Sequence, residues 1–568
     1  LDVVARTSSY SLGGIDDVRE IGRRLNVEGV VEGGVRKDGN SIRVNVQLID
    51  TASGFDMWAG EYDRELDDVF EIQEEIAESI LLALGEQLDV VLPMNLPPLG
   101  VANLEAYDLY LLGRHYVRGR DPSELEKAVD LFRNAVHQDG NYAPAYSGLA
   151  EAHLLQAEYA DLNLERALQL AEPMLNQALA LDETLAEPHA TRGLARFLEH
   201  RHEEAQEALR TALRLNPSHA MAYMWLGLSL AYDQGRINES QELYDRGLSL
   251  DPLNVTLAIN LAYNLSRQGR YAEALDRLEA ARAKHPDVVR IPLVIAQAAS
   301  DFGRFDIAHQ AAERALALKP DSARAMTMMA YIYANLGAVE KAEDWIERAE
   351  QAGGDTSHWH LNIARMAVYL QKGDIPALAT FLESQIDGNF KPDPLLFFSP
   401  RQWHPYGAAG TGRMLVQDFP TAAAYFDSHM RSFDEIRMTQ TFEDSLLFLT
   451  NSAYVQREMG RQTDYQRSLA DALNITAQAH QDGWDTNKLA FYEARLHALA
   501  GESDKAMAAL EKAVDNGFHD LWYLELDPVW SDFIGDDAFR DVMAKMKRTR
   551  LEMLRRIDST ESVTAAIR

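Results

Sequence analysis

The sequence predicts a mainly α-helical chain, a repeat solenoid preceded by a small α/β domain. Three observations lead there. Between about Leu185 and Gly354 the sequence returns to itself about every 34 residues. Small residues recur at fixed places, with Ala274, Ala308 and Ala342 in one column and Ala281, Ala315 and Ala349 in another. Near the start, Ile42, Val44, Val46 and Leu48 alternate with Arg43, Asn45 and Gln47, which is the period of a half-buried strand. Finally, 568 residues exceed what one hydrophobic core organises. A repeat array escapes that limit because each unit packs only on its neighbours.

Composition narrows the function classes. A hydrophobic share of 46% belongs to a folded chain. The formal charge of −33 argues against non-specific binding of nucleic acid or anionic membrane by this segment, and its plainest use is solubility. There is no cysteine, so neither a disulfide framework nor a thiolate site is available. That suits an oxidising compartment. No apolar run approaches the ~18 residues a membrane span requires. The chain starts at Leu1 without a signal-like segment, and the expectation is a fragment with an anchor or signal upstream.

Residues 1–92 form the predicted α/β domain. Val3-Val4-Ala5 reads as a strand, and Ile15, Val18, Ile21, Gly22 and Leu25 recur at helical spacing. A strand over about Glu28–Arg36 runs into Lys37-Asp38-Gly39-Asn40, a hairpin signal. The alternating strand follows, then a turn at Thr51–Gly54 and a further strand over Phe55–Trp58. A helix from about Asp67 to Leu88 is expected to bury Val69, Phe70, Gln73, Ile76 and Ile80 and to turn Glu71, Glu74, Glu75 and Glu78 outward.

These stretches, together with Val3–Ser9, Val18–Gly22, Val31–Lys37, Gln47–Asp50 and Tyr62–Leu66, resemble the TolB amino-terminal-like or FlgO-like segment of bacterial signalling proteins. The resemblance continues into Asn103–Tyr110. It implies a place between a membrane anchor and a repeat array, with a winged-helix DNA-binding domain or a nucleotide cyclase upstream. Members carry another strand and helix ahead of the Val3 strand.

Pro93, Pro97 and Pro98 mark a linker, assigned to residues 93–102. The solenoid is assigned to 103–384. Its first unit carries Leu112, Gly113, Tyr116, Ala128, Phe132 and Ala135, and its second Tyr146, Leu149, Ala171, Leu175 and Ala178. The blocks beginning at Tyr223, Ala258, Pro292 and Met326 each start a helix, and a second helix follows with its alanines facing back. Residues four apart share a helix face, so Ala258, Leu261, Ala262 and Leu265 make one stripe, and Ala274, Leu278 and Ala281 the stripe that meets it. Pro286 and Pro320 stop the second helices. This pattern resembles the tetratricopeptide repeat, a helix–turn–helix unit of 34 residues.

Residues 385–568 are expected to be an irregular, repeat-like helical region. A partly buried loop covers Ile386–Pro405, and helical pairs cover about 410–431, 441–480 and 487–517. A final helix runs from about Asp537 to Ile557. Its Lys545, Lys547, Arg548, Arg550, Arg555 and Arg556 suit a polar cap on the solenoid end, with an anion or partner site as the minority reading.

Motifs for chemistry are scarce. His202-Glu203-Glu204-Ala205-Gln206 lacks the second histidine of a zinc helix, and His358 and His360 do not share a helix face. Gly407, Gly410 and Gly412 stand in the wrong order for a dinucleotide loop and read as a turn leading into a helix. No phosphate-loop lysine or nucleophile-elbow serine motif is present. The prediction is therefore no catalytic residue, no cofactor and no metal site.

A binding surface follows from the repeat resemblance, which implies that first-helix positions line a concave groove. Counting along the blocks gives Met221, Met224, Leu228 and Tyr232, then Thr256, Ile259, Tyr263 and Arg267. Next come Arg290, Leu293, Gln297 and Phe302, then Arg324, Thr327, Tyr331 and Asn335. Aromatics, methionines and arginines are favoured at interfaces. The expected partner is a protein or peptide, favoured by the positive charge of Arg267, Arg290 and Arg324. The rival view has these side chains filling space within the superhelix. The overall expectation is a non-catalytic sensor segment of a bacterial signal-transduction protein, on the periplasmic side of the inner membrane. A free-standing adaptor or assembly factor, a cytoplasmic location and an enzyme with an unrecognised site stand as alternatives.

Overall fold

The computed structural model describes residues 3–4, 8–9, 12, 15, 17–39, 41–65, 69–88, 103–160, 162–233, 236–353, 359–386, 405–436 and 442–567. The expected linker at 93–102 and nearly all of the expected loop at 386–405 lie outside them. The described chain divides into two compact units. The first contains residues 1–229 and 243–254, and the second residues 230–242 and 255–568.

The first unit opens with helix α1 (Val18–Leu25) and an antiparallel sheet of β1 (Gly29–Asp38), β2 (Ser41–Asp50) and β3 (Asp56–Glu65) in sequential order. Asp17 caps α1, and Asn26 ends it in the left-handed conformation. The Asp38–Ser41 pair closes the predicted hairpin, with Gly39 at φ 62°. Val3 and Val4 are not in a strand, contrary to expectation, and among the described residues no strand lies beside them. A strand needs a paired edge. β3 also runs well beyond Trp58. Helix α2 (Val69–Leu88) lies on the sheet with Ile72 the most buried of its described side chains, beside Ile42, Val46 and Tyr62. Its stripe is Ile72–Ile76–Ile80 at i, i+4 spacing. Gln73 is half-buried, and the side chains of Val69 and Phe70 lie outside the described ones.

The repeat pairs follow. They are α3 (Leu104–Gly119) with α4 (Pro122–Gln138), α5 (Ala143–Tyr159) with α6 (Leu164–Leu181), and α7 (Ala186–Leu198) with α8 (His202–Leu215). Helices α9 (Ala220–Asp233) and α10 (Ile237–Leu250) each contribute to both units. Glycine sets the packing distance here. A Cβ at Gly113 or at Gly148 would stand 2.6 Å from the Phe132 ring, so this fully buried ring fits between α3 and α5 only because neither helix has a side chain there. Leu112, expected among the unit's pattern residues, is 45% exposed, one position around the helix from buried Gly113.

The second unit continues with α11 (Val255–Arg267) and α12 (Tyr271–Lys284), α13 (Arg290–Asp301) and α14 (Phe305–Leu318), α15 (Ala323–Leu336) and α16 (Val339–Gln351), and α17 (Trp359–Lys372) and α18 (Ile375–Ser384). Ala274, Ala281, Ala308, Ala315, Ala342 and Ala349 are all buried where the helices cross. The pairs α19 (Pro405–Leu415) with α20 (Phe419–Ile436), α21 (Phe442–Glu458) with α22 (Gln462–Gln481), and α23 (Asn487–Leu499) with α24 (Ser503–Asp515) follow. The chain then forms α25 (Leu521–Leu526), a 3₁₀ turn (Pro528–Phe533) and α26 (Asp537–Ile567). Gly407, Gly410 and Gly412 lie inside α19 rather than in a turn before a helix. A Cβ at Gly410 would meet the Phe426 ring at 2.5 Å and one at Gly412 would come within 3.0 Å of the Ala379 Cα, so these two serve close helix packing, whereas a Cβ at Gly407 would meet nothing within 4 Å.

Within the second unit, distant repeats lie against one another. The turns after α11, α13 and α15 hold Gly269, Gly303 and Gly337, all at positive φ. A Cβ there would meet the backbone oxygen of Asp485, the backbone oxygen of Gly517 and the guanidinium of Arg550 respectively. Tyr271 and Asn487 are 216 residues apart in their hydrogen bond, and Lys341 and Asp558 are 217 apart in their ion pair. A near-constant offset of a little over six 34-residue repeats is what successive turns of one superhelix produce.

Candidate binding groove

The expected groove residues sit on the first helices of successive repeats, and the structure sorts them by depth. In the second unit, the first turns of α11, α13 and α15 place Thr256, Arg290 and Arg324 in one row. Arg290 and Arg324 are half-buried, and Thr256 is more enclosed. The Arg290 guanidinium donates to the Thr256 hydroxyl at 2.9 Å, tying neighbouring repeats along the row. Its own helix continues inward through Leu293 and Gln297.

The deeper rows are closed. Ile259, Tyr263, Arg267, Leu293, Gln297, Phe302, Thr327, Tyr331 and Asn335 are all buried. Much of the cover comes from the same chain, a full superhelical turn later. The Trp484 ring stacks 4.9 Å from the Arg267 guanidinium, and the Asp485 amide donates to the Arg267 carbonyl at 2.9 Å. Asn487 donates from its side chain to the Asp301 carbonyl at 2.8 Å, and its backbone amide donates to the Tyr271 hydroxyl at 3.1 Å. The His519 ring meets Phe305 edge-on at 4.8 Å. Burial pushes the Tyr331 phenol well above its ordinary value, and the carboxylates of Asp520 and Asp301 add to the shift. Gln297 donates to Asp301 at 3.0 Å, and Asn335 donates to the Tyr331 carbonyl at 2.9 Å. The bottom of the expected groove is thus a closed interior in which hydrogen-bonded polar groups alternate with buried apolar side chains.

In the first unit, Met224 and Leu228 are buried on α9, while Met221 is half-buried and its sulfur accepts from Asn254 at 3.6 Å. The side chain of Tyr232 lies outside the described ones. Sequence reasoning passed over a charged pair in this unit, Arg114 on α3 with Glu151 on α5. Glu151 holds the guanidinium well above its ordinary range, and that carboxylate is 5% exposed, so the charge is already matched.

The basic residues of α26 are largely engaged. Lys545 pairs with Asp515, Lys547 with Glu525 at 2.7 Å, and Arg556 with Asp306 at 3.3 Å. Desolvation depresses the Arg550 guanidinium against Gly337. The helix ties one turn of the superhelix to another. His202 is buried against the Phe197 ring and lies 3.5 Å from the Ser229 hydroxyl, a core histidine. Among the described residues no three His, Asp or Glu side chains are grouped to hold a metal ion, and no helix is long and apolar enough to cross a membrane.

Residues missed by the sequence reading are those that close the groove: Trp484, Asp485, Asn487 and His519. A signal existed in the glycines 269, 303 and 337, which repeat the 34-residue spacing and mark turns approached closely by distant chain, backbone at the first two and the Arg550 side chain at the third.

Comparison with known proteins agrees with this geometry. Two tetratricopeptide-repeat family models match, one at residues 199–254 and 293–356, the other at 231–297. A protein named putative adenylate cyclase 3 from Rhizobium meliloti (strain 1021) is 32% identical over 215 residues, which is 37% of this chain and 36% of the relative. The chain therefore matches little more than a third of that relative's length. Among solved structures, pilF of Pseudomonas aeruginosa is 22% identical with a TM-score of 0.29, over 39% of this chain and 95% of that one. PilW, a type IV pilus biogenesis factor, is 19% identical with a TM-score of 0.31, over 40% of this chain and 99% of that one. With its 34-residue period, paired helices and buried alanine columns, the chain carries a tetratricopeptide-repeat solenoid, and the family pattern is read directly within residues 199–356.

Proposed function

We propose that this chain is the protein-binding, non-catalytic sensor segment of a bacterial signal-transduction protein, and that it takes an acidic, partly apolar peptide segment along the rim of its repeat array. The observation that carries this reading is the row of first-turn residues in the second unit. Arg290 and Arg324, 34 residues apart, keep access to solvent at the rim while the rows beneath them are closed. In a chain of charge −33, two arginines in register are a local positive strip. Arginine keeps its charge and grips carboxylates in a bidentate way. The deeper residues of the expected groove, among them Tyr263, Tyr331 and Asn335, then act as the floor that holds the rim in register.

The signalling part of the proposal draws on the likeness of residues 1–88 to the TolB amino-terminal-like or FlgO-like segment and on the name of the curated relative. Together they favour a cyclase or winged-helix effector elsewhere in the protein, and a location for this segment on the periplasmic side of the inner membrane.

The test is direct binding of fluorescent acidic–apolar peptides, with Arg290→Glu/Arg324→Glu as the variant. The expected result is at least a tenfold loss of affinity with an unchanged melting temperature. Equal binding by the folded variant would remove the rim from consideration.

A further inference from the structure

Most loops that join one repeat to the next in this array are polar and face water. Residues 285–288 are His-Pro-Asp-Val and 319–322 are Lys-Pro-Asp-Ser, with Asp287 and Asp321 exposed. The loop after α10 departs from this. It reads Asp251-Pro252-Leu253-Asn254, and both Asp251 and Leu253 are buried, at 2% and 7% exposure. A leucine where the corresponding loop positions are polar, exposed aspartates in the two loops that follow, needs a partner, because burying an aliphatic side chain favours the state that covers it.

The partner lies more than 220 residues away in sequence. Leu253 joins Leu12, Ile21 and Leu25 in one apolar cluster, with Val4, Ile15, Val27 and Val30 packed around it. Beside it Ser8, fully buried, donates its hydroxyl to the Asp251 carboxylate and accepts the Leu253 amide at 2.9 Å. The other Asp251 oxygen accepts from Asn254 at 2.9 Å, so the loop is held from within as well. From this joint the contacts run on into the sheet. Ile21 and Leu25 are on α1, and Val30 is on β1. Gly22 of α1 lies so close to Thr51 that a Cβ would come within 2.3 Å of it. The Thr51 hydroxyl in turn donates to the Val27 carbonyl at 2.6 Å.

We infer that the 251–254 loop is a coupling joint, through which the α/β module and the repeats of the first unit bias each other's conformation. A signalling use of the joint rests on the function proposed above, but its existence does not. Ser8 and Asp251 form one buried, mutually satisfied polar pair beside a small apolar cluster, and a polar group buried without its partner is costly. Loss of either side therefore penalises the docked state of both. Coupling of this kind is reciprocal by thermodynamic necessity.

The experiment is amide hydrogen exchange on the full chain without any ligand, so its outcome is independent of the peptide-binding test. Leu253→Asp and Ser8→Ala are expected to speed exchange in Val18–Leu25 and Gly29–Asp38 at least tenfold while leaving His202–Leu215 unchanged. Leu253→Met should retain protection, and Asp321→Ala, in a counterpart loop, should change nothing in the module. If Leu253→Asp loosens the repeats as well, Ser8→Ala decides, since it leaves the loop sequence intact. The reciprocal arm is Gly22→Ala, which loosens the module from its own side and should speed exchange of the Leu253 amide. Undiminished module protection in Ser8→Ala, or a Leu253 amide indifferent to Gly22→Ala, overturns the inference.

Discussion

Arg495 is the most exacting residue of the second unit, and Asp527→Ala is the perturbation that tests it. The Arg495 side chain on α23 is fully buried, and so is nearly all of its partner Asp527, at 0% and 2% exposure. Nε donates to the carboxylate at 2.8 Å, one terminal nitrogen donates to the Thr450 hydroxyl, and the other to the Asn451 side-chain oxygen at 2.7 Å. Asn451 passes the network on to Thr411 at 2.9 Å. Three segments of chain thus meet at one guanidinium, and Asn451 links a fourth to it. Removing Asp527 leaves a buried cation with two neutral acceptors and no counter-charge, a change that costs about 3–5 kcal/mol. The amide of Val529, which donates to the same carboxylate at 3.1 Å, loses its acceptor too. Asp527→Asn keeps an acceptor without the charge and should cost less. Urea unfolding followed by tryptophan emission, to which buried Trp530 contributes, measures both. A loss below ~1 kcal/mol for Asp527→Ala, the range of exposed pairs, would mean that water reaches this site and that the network is not the keystone argued here.

Two further outcomes follow from the packing. Ala274→Leu or Ala308→Leu, at fully buried helix crossings, should destabilise by roughly 1–3 kcal/mol in the same urea assay, through overpacking. The pH dependence has a definite sign at Asp306. Burial pushes its carboxyl up, but bonds from Arg304 and Arg556 outweigh that and hold it below its ordinary 3.8. A carboxyl depressed in the folded state stabilises above its unfolded value and loses that contribution as pH falls through the folded one. Acid melting below roughly pH 4 should therefore be shallower in Asp306→Asn than in the parent, and identical profiles would show that Asp306 carries no linkage.

The array was legible because its information is local and periodic. A helix pair needs a small residue where its two helices cross, and Ala274, Ala308 and Ala342 announce that need one repeat at a time. The alternating β2 strand was legible for the same reason, since its inner and outer faces are written in adjacent residues. Of the expected α2 stripe, Ile76 and Ile80 do pack on the sheet core, while Ile72, which the expectation left out, is buried there with them. Tyr62 of β3 donates to Ser79 of the same helix at 3.2 Å, a contact between elements that the helical period alone does not contain. The glycines of α19 suggest a turn in the sequence because glycine marks both turns and tight helix contacts, and only the Phe426 ring against Gly410 and Ala379 against Gly412 distinguish the two. Val3 and Val4 have strand composition, yet composition cannot supply the neighbouring edge that a strand needs.

Depth in the groove was the least legible feature, and the reason is geometric. Position within a repeat says which way a side chain points, but not what lies opposite after a superhelical turn. That depends on pitch, and pitch accumulates from small rotations at every helix pair. Arg267 and Arg290 look equivalent as groove-facing arginines in the sequence. One ends under Trp484 with its carbonyl bonded to Asp485, while the other stays at the rim bonded to Thr256. Their difference is fixed more than 200 residues away, where the chain returns to Gly269, Gly303 and Gly337. The same distance effect hid the joint at Leu253, whose partners precede it by more than 220 residues. Local comparison could still have flagged it. Against Asp287 and Asp321 in the two following loops, Leu253 is an apolar residue at a place where a solvated loop has a charged one.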